Sequence, residues 1–368
     1  MVNWLLQVDK VLGKRSSTNF QFDALDGLRG LAVLLVLAGH YSHSGLTYSL
    51  DLGGAGTIGV YCFFVLSSFL LATPLIRLAP EKLSDRKVWL NYSARRLLRI
   101  YPLYVVLLVF YYLLSTFGLT PLSAGLYFNE IDLVKHLFLI EAKEYLWTIQ
   151  VETKFYLILP LLVFLIVIIL RSRSLNVIIA GAIAMFVSVI ALDGNETRAS
   201  LLLQFPVFLS GVVGAQLFHV MSTSTVAVPA AMRSASTILA IAIFTLLLSF
   251  LPTISGFVYN GNMDASVLKK PYIFGILWTA FLICVLYGQG VVGKVLESRF
   301  LRFVGVISFS MYLWHVPILA VVKRIPALEG ILGILVVTPI IFVVSALSYL
   351  FIEKPFLQIK VIKSGVAR

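Results

Sequence analysis

Two residues that could bind an anion and transfer a proton flank one apolar run near the start of the chain. Arg29 and His40 enclose GLAVLLVLAG, which holds no other ionisable side chain. Eleven residues of α-helix turn through about 1100°, close to three full turns, so both side chains would share one face roughly 16 Å apart. We therefore expect a guanidinium and an imidazole at two ends of one site. The alternatives are a snorkelling anchor for Arg29 and a structural hydrogen bond between helices for His40.

A cluster of arginines precedes the third apolar segment. Arg95, Arg96 and Arg99 fall in YSARRLLRIYPLY, where Arg96 and Arg99 are helix neighbours at i and i+3. Guanidinium groups match the oxygen atoms of a phosphate in pairs. The pattern predicts a phosphate-binding site, with membrane anchoring or contact with lipid head groups as the alternative.

Two further ionisable residues lie within apolar segments, where their burial is costly. Glu152 follows the start of WTIQVETKFYLILP, with Tyr156 at i+4 on the same face, and His315 lies in FVGVISFSMYLWHVPIL. By their positions along the segments, His40, Glu152 and His315 are expected at similar depth in the outer half of the membrane. A carboxylate at that depth needs a partner, so we expect Glu152 to face another helix.

Other polar residues give weaker signals. His43 forms an H-x-x-H pair with His40, but the sequence offers no clear third ligand, so no metal site is predicted and a solvated position is favoured. Ser67 belongs to GTIGVYCFFVLSSFLLATPLI, whose small residues either allow close helix packing or form a smooth groove for a thin ligand. Cys62 and Cys284 lie in apolar runs and indicate neither a disulfide nor a metal site.

The elements that position these residues belong to a membrane protein. Hydrophobic residues make up 60% of the chain, charged residues make up 12%, and the mean hydropathy is +0.97. Too little polar surface remains to cover a soluble helical core. The net charge of +12 is accounted for by basic loops on one side of a membrane, and nucleic acid is not expected as a partner.

The predicted fold is an all-α polytopic membrane protein, a single domain over residues 1–368 with about ten transmembrane helices. Segments long enough to span a bilayer occur at roughly 27–46, 56–78, 100–118, 146–170, 176–192, 201–220, 236–254, 272–290, 303–322 and 328–352. With both short tails in the cytoplasm, 21 of the 29 lysines and arginines fall inside and seven outside, which favours N-in and C-in. No cleavable signal peptide is expected, and the charged segment 131–141 is expected to form an interfacial or re-entrant helix.

Six stretches, in this order, resemble the acyltransferase-3 family of integral-membrane acyltransferases, which includes bacterial O-acetyltransferases of surface glycans. The stretches are LDGLRGLAVLLVLAGH (25–40), GVYCFFVLSSFLL (59–71), RRLLRIYPLY (95–104), WTIQVETKFYLILP (147–160), ISFSMYLWHVPI (307–318) and FIEKP (351–355). The resemblance therefore runs from the first predicted span to the last. One departure is Ser68, which stands where the family pattern FFVLSGF has glycine and leaves the size of the donor open.

The resemblance implies transfer of an acyl group, expected to be acetyl, from acyl-coenzyme A to a hydroxyl of a glycan or glycolipid-linked acceptor at the bacterial cytoplasmic (inner) membrane. Acyl-coenzyme A would be a co-substrate rather than a permanently bound cofactor. The positions that match the family's functional motifs are Arg29, His40, Arg96, Arg99, Glu152 and His315.

The candidate residues divide into donor-binding, catalytic and acceptor-lining groups in one hypothesis. The predicted donor-binding residues are Arg29, Arg96, Arg99 and Ser67. His40, oriented by Glu152, would act as a general base or as a transient acyl carrier. The residues predicted to line the acceptor side are His43, Trp147, Tyr156 and His315. Trp147 would stack on a sugar or anchor the protein at the membrane interface.

A transporter or flippase is the alternative function, because many spans with buried polar residues suit both classes. The sequence shows no detectable inverted repeat and no paired broken helices, which many transporters contain. The arginine cluster also lies on a predicted cytoplasmic loop. These features favour an enzyme whose partners are the acyl-coenzyme A donor, the carbohydrate acceptor and the lipid bilayer.

Overall fold

The computed structural model describes residues 22–48, 50–119, 126–191, 197–223, 229–258, 265–288, 290–359 and 361, and within these ranges it contains no β-strand. Its α-helices are α1 (Phe22–His43), α2 (Ala55–Ile76), α3 (Pro80–Leu83), α4 (Arg86–Thr116), α5 (Glu130–Leu137), α6 (Trp147–Phe164), α7 (Ser174–Ile190), α8 (Leu201–Thr223), α9 (Ala230–Ser249), α10 (Pro252–Val258), α11 (Pro271–Gly288), α12 (Val291–Leu296), α13 (Arg299–Val306), α14 (Ser308–Val322), α15 (Gly330–Ser348) and α16 (Lys354–Leu357). Short 3-10 segments occupy Glu144–Leu146 and Ala265–Lys269, and π-helical segments occupy Leu165–Ile169 and Tyr349–Glu353.

Eight helical stretches in the described ranges are long and apolar enough to cross a membrane. They are Asp23–His43, Ala55–Ile76, Arg86–Thr116, Glu144–Ile169, Leu201–Thr223, Ala230–Ser249, Pro271–Gly288 and Gly330–Leu357. Helices α13 and α14 form a further candidate span as a pair bent by 73°, and α7 is a shorter apolar helix. Each of the ten predicted segments therefore coincides with helical structure, which confirms the all-α polytopic fold. The cytoplasmic placement of both termini and the single-domain organisation stay predictions.

Glycines let α1 approach two neighbouring helices closely. A Cβ atom on Gly59 of α2 would lie 2.5 Å from the carbonyl oxygen of Ala32 on α1. One on Gly30 of α1 would lie 2.2 Å from the carbonyl oxygen of Leu301 on α13. Atoms at these distances overlap, so a side chain would push the helices apart. Close packing, one of the two interpretations of the small-residue segment, is confirmed at Gly59.

Ion pairs hold the end of α1 that carries Arg29. Asp23 Oδ1 lies 2.8 Å from Nη2 of Arg302 on α13, and Asp26 Oδ1 lies 3.6 Å from Nη1 of Arg29, one turn along the same helix. Arg302 is buried, and the paired carboxylate offsets part of its desolvation. Helix α13 therefore fixes the base of α1, and with it the position of Arg29.

The segment predicted to be a short interfacial helix contains α5. Asn129 and Asp132 form a reciprocal capping box at its start, each side chain accepting the backbone N–H of the other. His136 is fully buried, its Nδ1 donates to the carbonyl oxygen of Asp132 at 2.7 Å, and its Nε2 accepts the N–H of Lys143 at 3.0 Å. Burial lowers the pKa of His136. These contacts tie the chain that leads into α6 to helix α5.

Candidate active site

Arginines from two helices meet at one cavity of about 340 Å³, which we call the arginine cavity. Arg29 comes from α1, and Arg96 and Arg99 come from α4. The other polar residues that line it are Ser67, Arg95, Thr148, Glu152, Tyr156, Ser308 and Tyr312. The structure thus brings all four predicted donor-binding residues together.

The arginines retain hydrogen-bonding capacity for an anion. Nε of Arg96 is buried, and no described residue accepts a hydrogen bond from it. The ion pair of Arg29 with Asp26 measures 3.6 Å, longer than a charge-assisted hydrogen bond. Arg95 differs, because its Nε donates to Oδ1 of Asn91 on the same helix at 3.0 Å. This arrangement suits a group with several anionic oxygen atoms, such as a phosphate.

Glu152 lies in the arginine cavity and is bonded to hydroxyl groups rather than to a histidine. Its Oε1 accepts hydrogen bonds from Ser67 Oγ and from Tyr156 OH, and these two oxygens are 2.9 Å apart. The Tyr156 ring lies 6.0 Å from the guanidinium carbon of Arg96. Within the described residues no hydrogen bond joins Glu152 to His40, so the predicted orientation of His40 by Glu152 needs correction. Tyr156, which was predicted to line the acceptor side, lines the arginine cavity instead, because α6 packs with this residue against Ser67 of α2.

His40 lines a second cavity, of about 600 Å³, which we call the histidine cavity. His43 and Trp147 line it as well, so these three residues meet as predicted. The ring centres of His40 and His43 are 6.3 Å apart, and Nδ1 of His43 lies 2.7 Å from the carbonyl oxygen of Gly39. The Trp147 indole also packs edge-on against Phe64, with ring centres 5.8 Å apart.

His315 lies behind His40 rather than in a cavity wall. Its side chain is fully buried and lines neither cavity. The two imidazole rings meet at an angle of 68°, with their centres 4.6 Å apart. His315 and His40 were predicted only to lie at similar depth, and the structure makes them neighbours; the predicted lining role of His315 is not observed.

The two cavities adjoin at Val60 of α2 and Tyr312 of α14, both of which line each cavity. Thr148 Oγ1 donates to the Tyr312 hydroxyl at 2.8 Å and so holds the ring at this junction. Arg29 lies in one cavity and His40 in the other, and both belong to α1. The predicted face of α1, with a guanidinium at one end and an imidazole at the other, therefore borders two adjoining cavities.

The comparison with protein families agrees with this geometry. A family model described as an acyltransferase domain matches residues 22–353, which include the cavity arginines and histidines. This chain belongs to the acyltransferase-3 family. Among solved structures, none matches the chain.

Curated relatives of this acyltransferase-3 chain include O-acetyltransferases of bacteria. The peptidoglycan O-acetyltransferase OatA of Listeria monocytogenes is 27% identical over 367 residues, covering 90% of this chain and 55% of the relative. The putative peptidoglycan O-acetyltransferase YrhL of Bacillus subtilis is 28% identical over 366 residues, covering 90% and 54%. A putative O-acetyltransferase of Staphylococcus aureus is 23% identical over 368 residues, covering 90% and 56%. The chain thus spans about half the length of these relatives.

Several residues that line the site were missed by sequence reasoning. Phe356 and Ile359 line the arginine cavity, and Arg198 lines the histidine cavity. Phe356 and Ile359 follow the last segment predicted from the sequence, which ends near residue 352, and Arg198 lies in a loop, so no periodic pattern marked their faces. Tyr312 could have been found, because it lies one turn before His315 on the same helix.

Ser68, where the family pattern has glycine, faces a neighbouring helix instead of the arginine cavity. Its hydroxyl donates to the carbonyl oxygens of Phe64 at 2.9 Å and Val65 at 3.1 Å. A Cβ atom on Gly211 of α8 would lie 2.1 Å from the Ser68 hydroxyl oxygen. Ser67, not Ser68, lines the arginine cavity. The departure from the family pattern therefore concerns helix packing and carries no information on donor size.

Proposed function

We propose that this protein is a membrane O-acetyltransferase that moves an acetyl group from acetyl-coenzyme A to a hydroxyl of a bacterial envelope glycan. The observation that carries the proposal is the pair of adjoining cavities along α1, with arginines in one and His40 in the other. Membership of the acyltransferase-3 family supports acyl transfer. The proposed location is the bacterial cytoplasmic membrane, where a cytoplasmic donor meets an external acceptor.

The donor occupies the arginine cavity in this proposal. Coenzyme A carries phosphate groups at one end, and charge-assisted hydrogen bonds from Arg29, Arg96 and Arg99 suit them. Its thioester lies at the other end of a long, thin arm. With the phosphates held at the arginines, this arm extends past Tyr312 toward His40.

His40 performs the proton transfer in the histidine cavity. As a general base it takes the proton of the acceptor hydroxyl while the hydroxyl oxygen attacks the thioester carbonyl. The carbon–sulfur bond then breaks, and the proton passes to the thiolate to give coenzyme A. A second route, in which His40 first carries the acetyl group on a ring nitrogen, releases the same products.

The acceptor enters the histidine cavity. Trp147 offers an aromatic surface, and Glu144 and Arg198 add polar groups that suit a carbohydrate. Peptidoglycan is named in the descriptions of two relatives, which supports an envelope glycan as the acceptor class.

Purified protein in lipid nanodiscs tests the proposal. Acetyl-coenzyme A and soluble glycan fragments are supplied together, free coenzyme A thiol is followed over time, and acetylated glycan is identified by mass spectrometry. We expect thiol release by the wild type and none by a His40→Ala variant that folds equally well. Absence of thiol release by the wild type with any envelope glycan would favour a transporter.

A further inference from the structure

The imidazole of His315 is buried and has one nitrogen without a hydrogen-bond partner among the described residues. Its side chain is fully buried on α14, and Nδ1 lies 3.1 Å from the carbonyl oxygen of Met311. A carbonyl oxygen only accepts, so Nδ1 carries the proton and Nε2 holds a lone pair in the neutral ring. No described residue donates a hydrogen bond to Nε2. A buried acceptor without a donor is uncommon and costs free energy.

Among the ring contacts of the described residues, the His40 imidazole lies nearest to that of His315. The two imidazoles are 4.6 Å apart between centres and meet edge to face at 68°. Catalytic hydrogen bonds are often long or misaligned before substrates bind and shorten in the reacting complex. At this separation, a change in the orientation of one imidazole can direct an N–H group toward a nitrogen of the other.

The surroundings of His315 fix its position without using Nε2. The rings of Tyr145 and Tyr312 lie 5.5 Å and 5.6 Å from the imidazole centre. Tyr145 OH donates to the carbonyl oxygen of Leu313 at 2.8 Å, and Tyr312 OH donates to the carbonyl oxygen of Tyr145 at 2.6 Å. Both hydroxyl protons are therefore committed to backbone oxygens. The tyrosines hold the imidazole while leaving its lone pair to His40.

We propose that His315 is a positioning residue that accepts a hydrogen bond from His40 through Nε2 during acetyl transfer. This inference rests on the proposed function. The hydrogen bond would select one tautomer of His40 and turn its other nitrogen toward the acceptor hydroxyl, and it would stabilise the imidazolium that forms when His40 takes the proton. Glu152 does not supply this contact, because its carboxylate is bonded to Ser67 and Tyr156.

The reaction balances with His315 unchanged. The acceptor hydroxyl loses its proton to His40, its oxygen forms the ester bond to the acetyl carbon, and the carbon–sulfur bond of the thioester breaks. His40 then returns the proton to the sulfur. The products are the acetylated acceptor and coenzyme A, and both imidazoles end neutral.

Three substitutions at one position separate hydrogen bonding from packing. His315→Phe keeps a planar ring but removes the acceptor. His315→Asn can keep a donor near the position of Nδ1 but has no group at the position of Nε2, whereas His315→Gln places an amide oxygen near that position. The readouts are kcat and KM for acetyl-coenzyme A, with thermal unfolding as the measure of folding.

We expect His315→Phe and His315→Asn to lower kcat by about 100-fold or more, with KM for acetyl-coenzyme A unchanged. His315→Gln should recover at least a tenth of the wild-type kcat. Rescue by Gln but not by Phe or Asn, with equal unfolding midpoints, is a result that loss of packing alone would not produce. If His315→Phe fails to fold, the comparison of kcat between His315→Gln and His315→Asn, at equal unfolding midpoints, tests the hydrogen bond.

Two outcomes would overturn the inference: a wild-type kcat in the Asn or Phe variant, or equal losses in Gln and Asn. Failure of the proposed function gives a different pattern, in which the wild type releases no coenzyme A thiol at all. An active wild type with an inactive His40→Ala and a fully active His315→Asn rejects only the role of His315.

Discussion

At the residue scale, the polar groups of the membrane interior divide into a set that lines the arginine cavity and a pair of imidazoles at the histidine cavity. Glu152 belongs with the arginines, and its two hydroxyl partners explain how a carboxylate is accommodated there. The imidazoles of His40 and His315 lie together, with no carboxylate bonded to either among the described residues. Each set therefore calls for its own kinetic test.

Glu152 is expected to shape the donor site. Glu152→Ala leaves the hydroxyls of Ser67 and Tyr156 without their shared acceptor, so we expect KM for acetyl-coenzyme A to rise about tenfold. Glu152→Gln keeps a carbonyl oxygen and should have a smaller effect. Steady-state kinetics check both variants. A fall in kcat at constant KM would instead indicate that the carboxylate acts at His40.

Arg96 is expected to contribute a phosphate contact that Arg95 does not. Hydrogen bonds to charged groups are worth about 1.5–3 kcal/mol, so Arg96→Gln should weaken acetyl-coenzyme A binding by about 10- to 100-fold. Arg95→Gln is the matched control, because the Arg95 guanidinium already donates to Asn91. Isothermal titration of the two variants measures the difference. Equal affinities would reassign Arg96 to membrane anchoring.

At the element scale, the distance between α1 and its neighbours sets the shape of both cavities. Gly59 lets α2 approach Ala32, and the next residue, Val60, lines the junction of the cavities. The bend between α13 and α14 lets one helix hold the base of α1 while the other presents Tyr312. Helix packing is thus a requirement of the site as well as of the fold.

Gly59→Ala is expected to destabilise the protein by about 1–3 kcal/mol, because the new methyl group overlaps the carbonyl oxygen of Ala32. Gly56→Ala is the matched control on the same helix, since its Cβ would have only one neighbour, at 3.9 Å. Thermal unfolding in nanodiscs should give a lower midpoint for the first variant and an unchanged or higher midpoint for the second. Equal midpoints would show that the helices can separate without loss.

His136 is expected to make stability depend on pH below neutrality. Burial lowers its pKa in the folded protein, so the unfolded chain binds more protons as the pH falls through about 6.5. The stabilising contribution is therefore complete at higher pH and is lost on acidification. We expect unfolding midpoints to fall from pH 7 to pH 5, with a smaller fall in His136→Gln. Identical pH profiles would contradict this account.

At the scale of the whole molecule, the two ends of the site differ, with arginines in one cavity and histidines in the other. Positive charge is concentrated at the arginine end, and the excess of basic residues in the loops predicts that this end lies in the cytoplasm. With this predicted orientation, the proposed donor would enter from the cytoplasm and the proposed acceptor from the exterior. The proposed transfer of an acetyl group across the membrane therefore requires the N-in orientation, which can be measured.

Cysteine labelling tests the orientation in intact cells. With N-in topology, a cysteine introduced at Asp85 faces the cytoplasm, whereas one introduced at Glu141 faces the exterior. We expect a membrane-impermeant maleimide to label Glu141→Cys and to label Asp85→Cys only after the membrane is permeabilised. The native Cys62 and Cys284 are buried and serve as internal controls. The reverse labelling pattern would place the donor cavity on the outer side.

The sequence by itself determined the helices and the relation between Arg29 and His40. Apolar runs of bilayer length form helices because no water is present to satisfy the backbone. Residues eleven positions apart then share a face by helix geometry alone. The pairing of Arg96 with Arg99, and of Glu152 with Tyr156, is local in the same sense and was predicted correctly.

Only the tertiary structure decided which helices these faces meet. Depth along a span follows from sequence position, but lateral neighbours depend on packing, which glycines and the bent pair of helices set through steric contact. Glu152 was therefore predicted at the depth of His40 but lies among arginines and hydroxyls. The contact between His40 and His315 was likewise beyond local rules, because the two residues are 275 positions apart in the chain and only packing brings their rings together.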